Sequence, residues 1–321
     1  MGHLFINEIE SGRPIDDIYM VSQPVLRSTT RGDLYIAMFL SDKTGKLNAR
    51  IWQASEETYG LLPKPGFVHI NGRSETYQNN LQLVINQITV ISPEEVDLAD
   101  FLPKSKKDIE QMFGEVKNIL NSVKSPQLRA IIKQFISDEE LMKNFKTAPA
   151  AMVHHHNYLG GLLEHTVSML KVAEAILPLY PKVESDLVKI AIFLHDLGKT
   201  KELSYEMAFS YTDAGQLVGH IVQTVVMLNK KVDELKVNGT EIDKQIVTIL
   251  EHIILAHHGK YEFGSPKLPA MAEAFMVNYI DDLDAKMNQV ARVIEEEPGD
   301  GDWTQWVRAL ETRLYRKKVL E

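Results

Sequence analysis

From about Ile18 to Ile91, apolar and polar side chains alternate, as in DLYIAMFLSD, KLNARIWQ, GFVHINGRS and NLQLVINQITVI, with turn residues such as DKTGK and YQNN between the runs. A period of two belongs to strands with one buried face. A short helical piece, ASEETYGLL, separates the third and fourth runs. Five strands with one interruption suit a small Greek-key barrel of the OB type, so the pattern predicts an all-β domain over residues 1–92. In KLNARIWQ, Asn48, Arg50 and Trp52 share one face, and Leu47, Ala49 and Ile51 share the other. The first face could stack and neutralise a single nucleic-acid strand; the plain alternative is a solvated arginine beside a tryptophan that caps the barrel.

The period then changes. SPEEVDLADFLPKSKKD has two prolines and little periodicity, and reads as a linker over residues 93–105. Beyond it, IEQMFGEVKNILNSV, PQLRAIIKQFIS, LEHTVSMLKVAEAIL, ESDLVKIAIFLHDLGK, GQLVGHIVQTVVMLNKKVDEL, IDKQIVTILEHIILAHHG and AEAFMVNYIDDLDAKMNQVARVIEE all carry helical apolar spacing. The chain is therefore expected to be multidomain: the barrel, connecting helices over 106–150, an all-α bundle over 151–290, and a last amphipathic helix over 291–321.

Composition narrows the chemistry. No run approaches the length of a membrane span, and the first twenty residues lack a basic start followed by a long apolar core, so a cytoplasmic protein without membrane contact is expected. A formal charge of −9 argues against general electrostatic coating of nucleic acid, although a local basic channel is compatible with it. Zero cysteines exclude disulfides, thiolate zinc sites and a thiol nucleophile, leaving His and carboxylate ligands for hard or borderline metals. Of the 11 histidines, all but His3 and His69 lie between His154 and His258, which locates the chemistry in the helical half.

His165, His195 with Asp196, His220, His257 with His258, and Asp281 stand on successive, otherwise apolar segments. One such histidine is more often a satisfied core residue than a ligand. Seven groups on converging segments are best satisfied together by one or two divalent ions in the bundle. Asp196 has two oxygens and could bridge ions about 4 Å apart, with His165, His195 and Asp281 at one and His220 plus His257 or His258 at the other.

The ordered set His165, His195-Asp196, His220, His257-His258 and Asp281 resembles the ligand set of the HD-domain metal-dependent phosphohydrolases. With HHNYLGGLLEHT, HDLGK, AHHG and DDLDAKM behind an OB-like barrel, it resembles the YhaM-type 3′-to-5′ exoribonucleases over nearly the whole chain. The resemblance implies an OB-fold followed by an HD domain, and phosphodiester hydrolysis from the 3′ end of single-stranded RNA, with single-stranded DNA as a second polymer. It also implies two divalent ions, manganese first and iron(II), cobalt or magnesium as alternatives. Asp281 is the aligned carboxylate, Asp282 its competitor, and Asp284 stands one turn further on.

Lys199, one turn beyond Asp196, is positioned to hold phosphoryl charge; the plain alternative is a lysine answering a helix dipole. His155 and His156 fall on the approach to His165 and are expected at the scissile phosphate or the leaving oxygen. Gly160 and Gly161 would admit substrate to the backbone, or simply start a helix. Two other functions compete: a nucleotide phosphohydrolase or cyclic-dinucleotide phosphodiesterase, and a non-enzymatic RNA-binding or signalling module with a relic site. A small-molecule enzyme has little use for the barrel, and a relic should lack ligands. Oligomeric state stays open, a homo-oligomer included.

Overall fold

The computed structural model describes residues 2–78, 80–152, 156–205, 209–296 and 301–317. Strands β1 (Pro14–Ser28), β2 (Leu34–Asp42), β3 (Gly45–Trp52), β4 (Gly66–Tyr77) and β5 (Asn80–Ile91) close a barrel in the order β1-β2-β3-β5-β4. Neighbouring strands are antiparallel except β3 and β5, whose parallel pairing closes the barrel. Helix α1 (Glu56–Leu61), capped by Ser55, fills the crossover between β3 and β4. Alternation puts Leu47, Ala49 and Ile51 inside with Tyr19, Ile36, Leu40 and Ile70, and turns Asn48 and Trp52 out. This is the five-stranded OB-like barrel expected from the period of two.

The expected linker is partly core. Phe101 is buried with its ring 4.8 Å from that of Phe67 and 5.2 Å from that of His3, and Leu102 is buried beside it in sequence. Apolar side chains carry the barrel past residue 92. The chain divides into two compact units, Met1–Lys104 with Ser204–Phe209, and Ser105–Leu203 with Ser210–Glu321.

The second unit is helical: α2 (Ile109–Asn121), α3 (Pro126–Ile136), α4 (Glu139–Thr147), α5 (Gly161–Ile176), α6 (Ser185–Leu194), α7 (Lys199–Glu202), α8 (Asp213–Val218), α9 (His220–Val237), α10 (Lys244–Ala256) and α11 (Ala272–Glu296). Residues 106–150 are not a separate connector, because α2 and α4 pack on α5, and Phe193 of α6 meets the rings of Phe135 and Phe145 edge-on at 6.3 and 5.8 Å.

Three expected helices are different. The segment 184–199 stops at Leu194, turns, and restarts at Lys199; 215–235 breaks at Gly219, whose φ of 76° is left-handed. Residues 303–317 form a bridged loop instead of a final helix, with Trp303 paired to Tyr315 and Val307 to Thr312. Trp, Thr, Val and Tyr favour extended backbone, and the Thr304 hydroxyl accepts the amide of Leu314, fixing the two arms.

Candidate active site

The breaks in the helices place the histidines. His195 and His257 follow the last residues of α6 and α10, where the final carbonyls of a helix have no intrahelical donor. His195 Nδ1 donates to the Ile192 carbonyl at 2.7 Å, and His257 Nδ1 to the Ile254 carbonyl at 2.7 Å. The same offset of three residues thus satisfies a helix end and leaves each Nε2 as a bare lone pair. His165, buried on α5, donates Nδ1 to Asp284 at 2.7 Å, and His258 donates Nδ1 to the Phe263 carbonyl at 2.8 Å. His220 opens α9, and Glu202 accepts both its Nδ1 proton and its backbone amide, each at 3.0 Å. All five rings are oriented through Nδ1, the arrangement that fixes metal-ligating imidazoles from behind.

Asp196 lies among them in the turn after α6. Its Oδ2 is 3.3 Å from His195 Nε2 and 3.9 Å from His165 Nε2, while its Oδ1 is 3.4 Å from His220 Nε2 and 3.6 Å from His257 Nε2. Asp281 of α11 adds Oδ1 3.2 Å from His165 Nε2. Two trios, His165-His195-Asp281 and His220-His257-His258, each place ligand atoms within 4.8 Å of one another, with the Asp196 carboxylate facing both. Ligands about 2.1 Å from one ion and at right angles lie about 3 Å apart, so these separations suit a divalent cation. Asp196 Oδ1, His220 Nε2 and His257 Nε2 are buried with no hydrogen-bond partner, which a cation would satisfy.

The charges point the same way. Burial opposes ionisation of Asp196, yet Lys199 and His195 hold its carboxyl well below the usual range. For Asp281, His165 and its neighbours likewise outweigh burial and depress the carboxyl. Burial lowers His165, but Asp281 and Asp284 outweigh it and hold the imidazole at about 9, so a proton resides where the acidic groups call for positive charge. His258 is pushed down to about 3 by burial and the neighbouring histidines, which keeps the ring neutral.

Lys199 is buried, with Nζ 2.7 Å from Asp196 Oδ2, and lines a cavity of about 750 Å³ together with Asp196, His258 and Asp281. It opens the four-residue α7 and so lies in that helix's last turn as well, but its ammonium is engaged by the Asp196 carboxylate. Asp282 points elsewhere, to Lys286 at 2.7 Å, which leaves Asp281 as the carboxylate in the cluster. His156 is a correction. Its Nε2 is 2.9 Å from Asp284 and its Nδ1 2.7 Å from the Tyr158 hydroxyl, so it is buried behind His165 and supports Asp284 instead of meeting substrate. His155 lies outside the described residues. Gly160 starts α5 at a φ of 80°, and a Cβ on Gly161 would lie 2.0 Å from the His156 carbonyl, so this pair shapes the turn. Gly198 is also required: a Cβ there would sit 2.1 Å from the His220 carbonyl, the contact that brings α9 against the His-Asp turn.

Sequence reasoning missed Glu202, whose only signal is an acidic residue one turn after Lys199. It missed Ser168 as well, whose hydroxyl donates to Asp284. On the barrel, Trp52 is 42% exposed, and the Arg50 guanidinium lies 5.5 Å from its ring, 5.4 Å from Tyr77 and 5.9 Å from Tyr35. Neither tyrosine was singled out in the sequence, because each comes from a different strand and only barrel closure gathers them.

The chain is also similar to known proteins. The HD domain family matches residues 162–286. The 3′-5′ exoribonuclease YhaM of Bacillus subtilis (strain 168) is 36% identical over 309 residues, 96% of each chain, and that of Geobacillus sp. (strain WCH70) is 34% identical over 305 residues, 94% of this chain and 92% of the other. A solved structure of the second OB-fold domain of replication protein A from Methanococcus maripaludis is 18% identical, covering 30% of this chain and 98% of that one at a TM-score of 0.24. With its OB-like barrel, its HD domain and its full-length likeness to both relatives, the chain belongs to the YhaM 3′-5′ exoribonuclease family.

Proposed function

We propose that this protein is a metal-dependent exoribonuclease that removes nucleoside monophosphates from the 3′ end of single-stranded RNA. The observation that carries this reading is the convergence of His165 and His195 Nε2 on one oxygen of Asp196 and of His220 and His257 Nε2 on the other. His165, His195 and Asp281 would hold one divalent ion, His220, His257 and His258 the other, and Asp196 would bridge them. When bound, such ions supply positive charge to the phosphoryl oxygens and acidify water at the site. Donors of imidazole and carboxylate without thiolate fit a hard or borderline divalent ion, and among these manganese is taken first because the family resemblance implies it.

The residues supply the rest. Lys199, facing the cavity at 2.7 Å from Asp196, neutralises charge that develops on the phosphate. Glu202, Asp284 and the helix-end carbonyls hold the imidazoles in one tautomer, so that no reorientation is needed as charge moves. On the barrel, Asn48, Arg50 and Trp52, joined by Tyr35 and Tyr77, would stack and neutralise RNA upstream of the cut. A relic site is disfavoured because His165, His195, Asp196, His220, His257, His258 and Asp281 are all present and clustered. The test is 5′-labelled single-stranded RNA incubated with the protein and Mn²⁺, with and without chelator. A chelator-sensitive ladder of products shortened one nucleotide at a time supports the reading; intact RNA, or a single internal cut, overturns it.

A further inference from the structure

The cavity has a wall that metal and phosphate chemistry leaves unused. Phe275 and Tyr279, one turn apart on α11, are 47% and 67% exposed, with their rings inclined by only 22° and their centroids 6.5 Å apart. Both line the same cavity as Asp196 and Asp281, together with Lys260 and Lys286. At about 1.5 Å of rise per residue, Tyr279 is about 3 Å and Phe275 about 9 Å along the helix axis from Asp281. Successive nucleotides of a stacked strand rise about 3.4 Å, so on this shared cavity wall the aromatic pair lies within reach of the last few bases of a strand whose phosphate is at Asp281. Lys260 and Lys286 face exposed carboxylates, Glu262 at 3.7 Å and Asp282 at 2.7 Å. Exposed pairs of this kind are weak, and they can yield to a phosphate.

We propose that Phe275 and Tyr279 are a stacking platform for the 3′-terminal bases of the RNA, with Lys260 and Lys286 neutralising the adjoining phosphates. The inference rests on the exoribonuclease reading and adds to it the part of the substrate that is grasped. Every base has a π-face, so such a platform accepts any sequence, and it holds purines better than pyrimidines because they offer more area. An end without bases has nothing to stack, which separates this surface from one that recognises only phosphate.

The experiment compares two RNAs, one ending in 2-aminopurine and one whose last two residues are abasic, on metal-loaded full-length protein. Stopped-flow mixing should quench 2-aminopurine fluorescence before cleavage. Phe275→Ala with Tyr279→Ala should remove most of that quench and raise KM on the base-containing RNA by about fivefold or more, with a smaller change in kcat. The wild type should prefer the base-containing end by a similar factor, and the double variant should lose that preference. Tyr279→Trp should keep both quench and preference. Equal losses on the two RNAs, a quench that survives the double variant, or a shift in sedimentation that marks the aromatic face as a subunit contact would each overturn the platform. A wild type that quenches the fluorophore yet never shortens the RNA would overturn the exoribonuclease reading and leave the platform standing.

Discussion

At the scale of single residues, the centre depends on groups that do not themselves face the cavity. Glu202 accepts from His220 at both Nδ1 and the backbone amide, and is held ionised because His220 outweighs the effect of burial. Glu202→Gln should therefore weaken retention of one ion by about 10- to 100-fold, with activity returning at saturating metal. Metal content after dialysis against graded chelator measures this, and an unchanged retention curve would make Glu202 a helix-end contact only. Lys199→Ala should keep both ions and lower kcat on RNA; a rate equal to the wild type's at saturating metal would return Lys199 to a structural role beside Asp196. The clustered histidines and aspartates were legible as candidates in the sequence because imidazole and carboxylate are rare in apolar helical segments. His156 was misplaced because adjacency to the motif said nothing about direction, and only the structure shows both its nitrogens engaged behind His165.

At the scale of elements, the site is made from helix ends. His195 and His257 close α6 and α10, and His220 opens α9, so three terminal groups and two mid-helix residues, His165 and Asp281, meet at one point. Periodicity reads helix faces well and helix ends badly, which is why the segments around HDLGK and VGH looked continuous. In the barrel the equivalent surprise is the expected linker, whose Phe101 lies against the ring of His3, itself between Asp17 and Asp42 at 3.4 Å from each. Burial opposes its charge, but Asp42 and Asp17 outweigh it and raise His3 above 6.5; the same contact, against burial, depresses Asp42. A histidine raised on folding contributes stability that is fully present below its unfolded value and is lost as pH rises through the folded one. The Asp42 contribution runs oppositely and is lost as pH falls through its depressed value. His3→Gln should consequently lower the urea midpoint of the protein more at about pH 5 than at about pH 9. Equal losses at the two values would mean that His3 contributes by packing alone.

At the scale of the whole molecule, the period-two and period-3.6 halves were separable in the sequence, and the structure keeps that division, with the break after Lys104 at the end of the expected linker. A barrel that binds a strand, joined covalently to a hydrolytic domain, would raise the local concentration of polymer at the active site, a gain that a dinucleotide cannot share. Arg50→Ala with Trp52→Ala should weaken binding of long RNA by about tenfold or more, flatten its salt dependence, and leave dinucleotide hydrolysis at the wild-type rate. Equal effects on long and short substrates would remove the barrel from RNA binding. The central claim is that the Asp196 carboxylate joins two ions into the centre that cuts RNA, and it is tested most directly by counting bound manganese per folded chain while following RNA hydrolysis, in the wild type and in Asp196→Asn. The expected result is two ions per wild-type chain, a rate that follows occupancy, and a variant that folds, loses the pair and cuts no RNA. A variant that still binds two ions and hydrolyses RNA at the wild-type rate would contradict it.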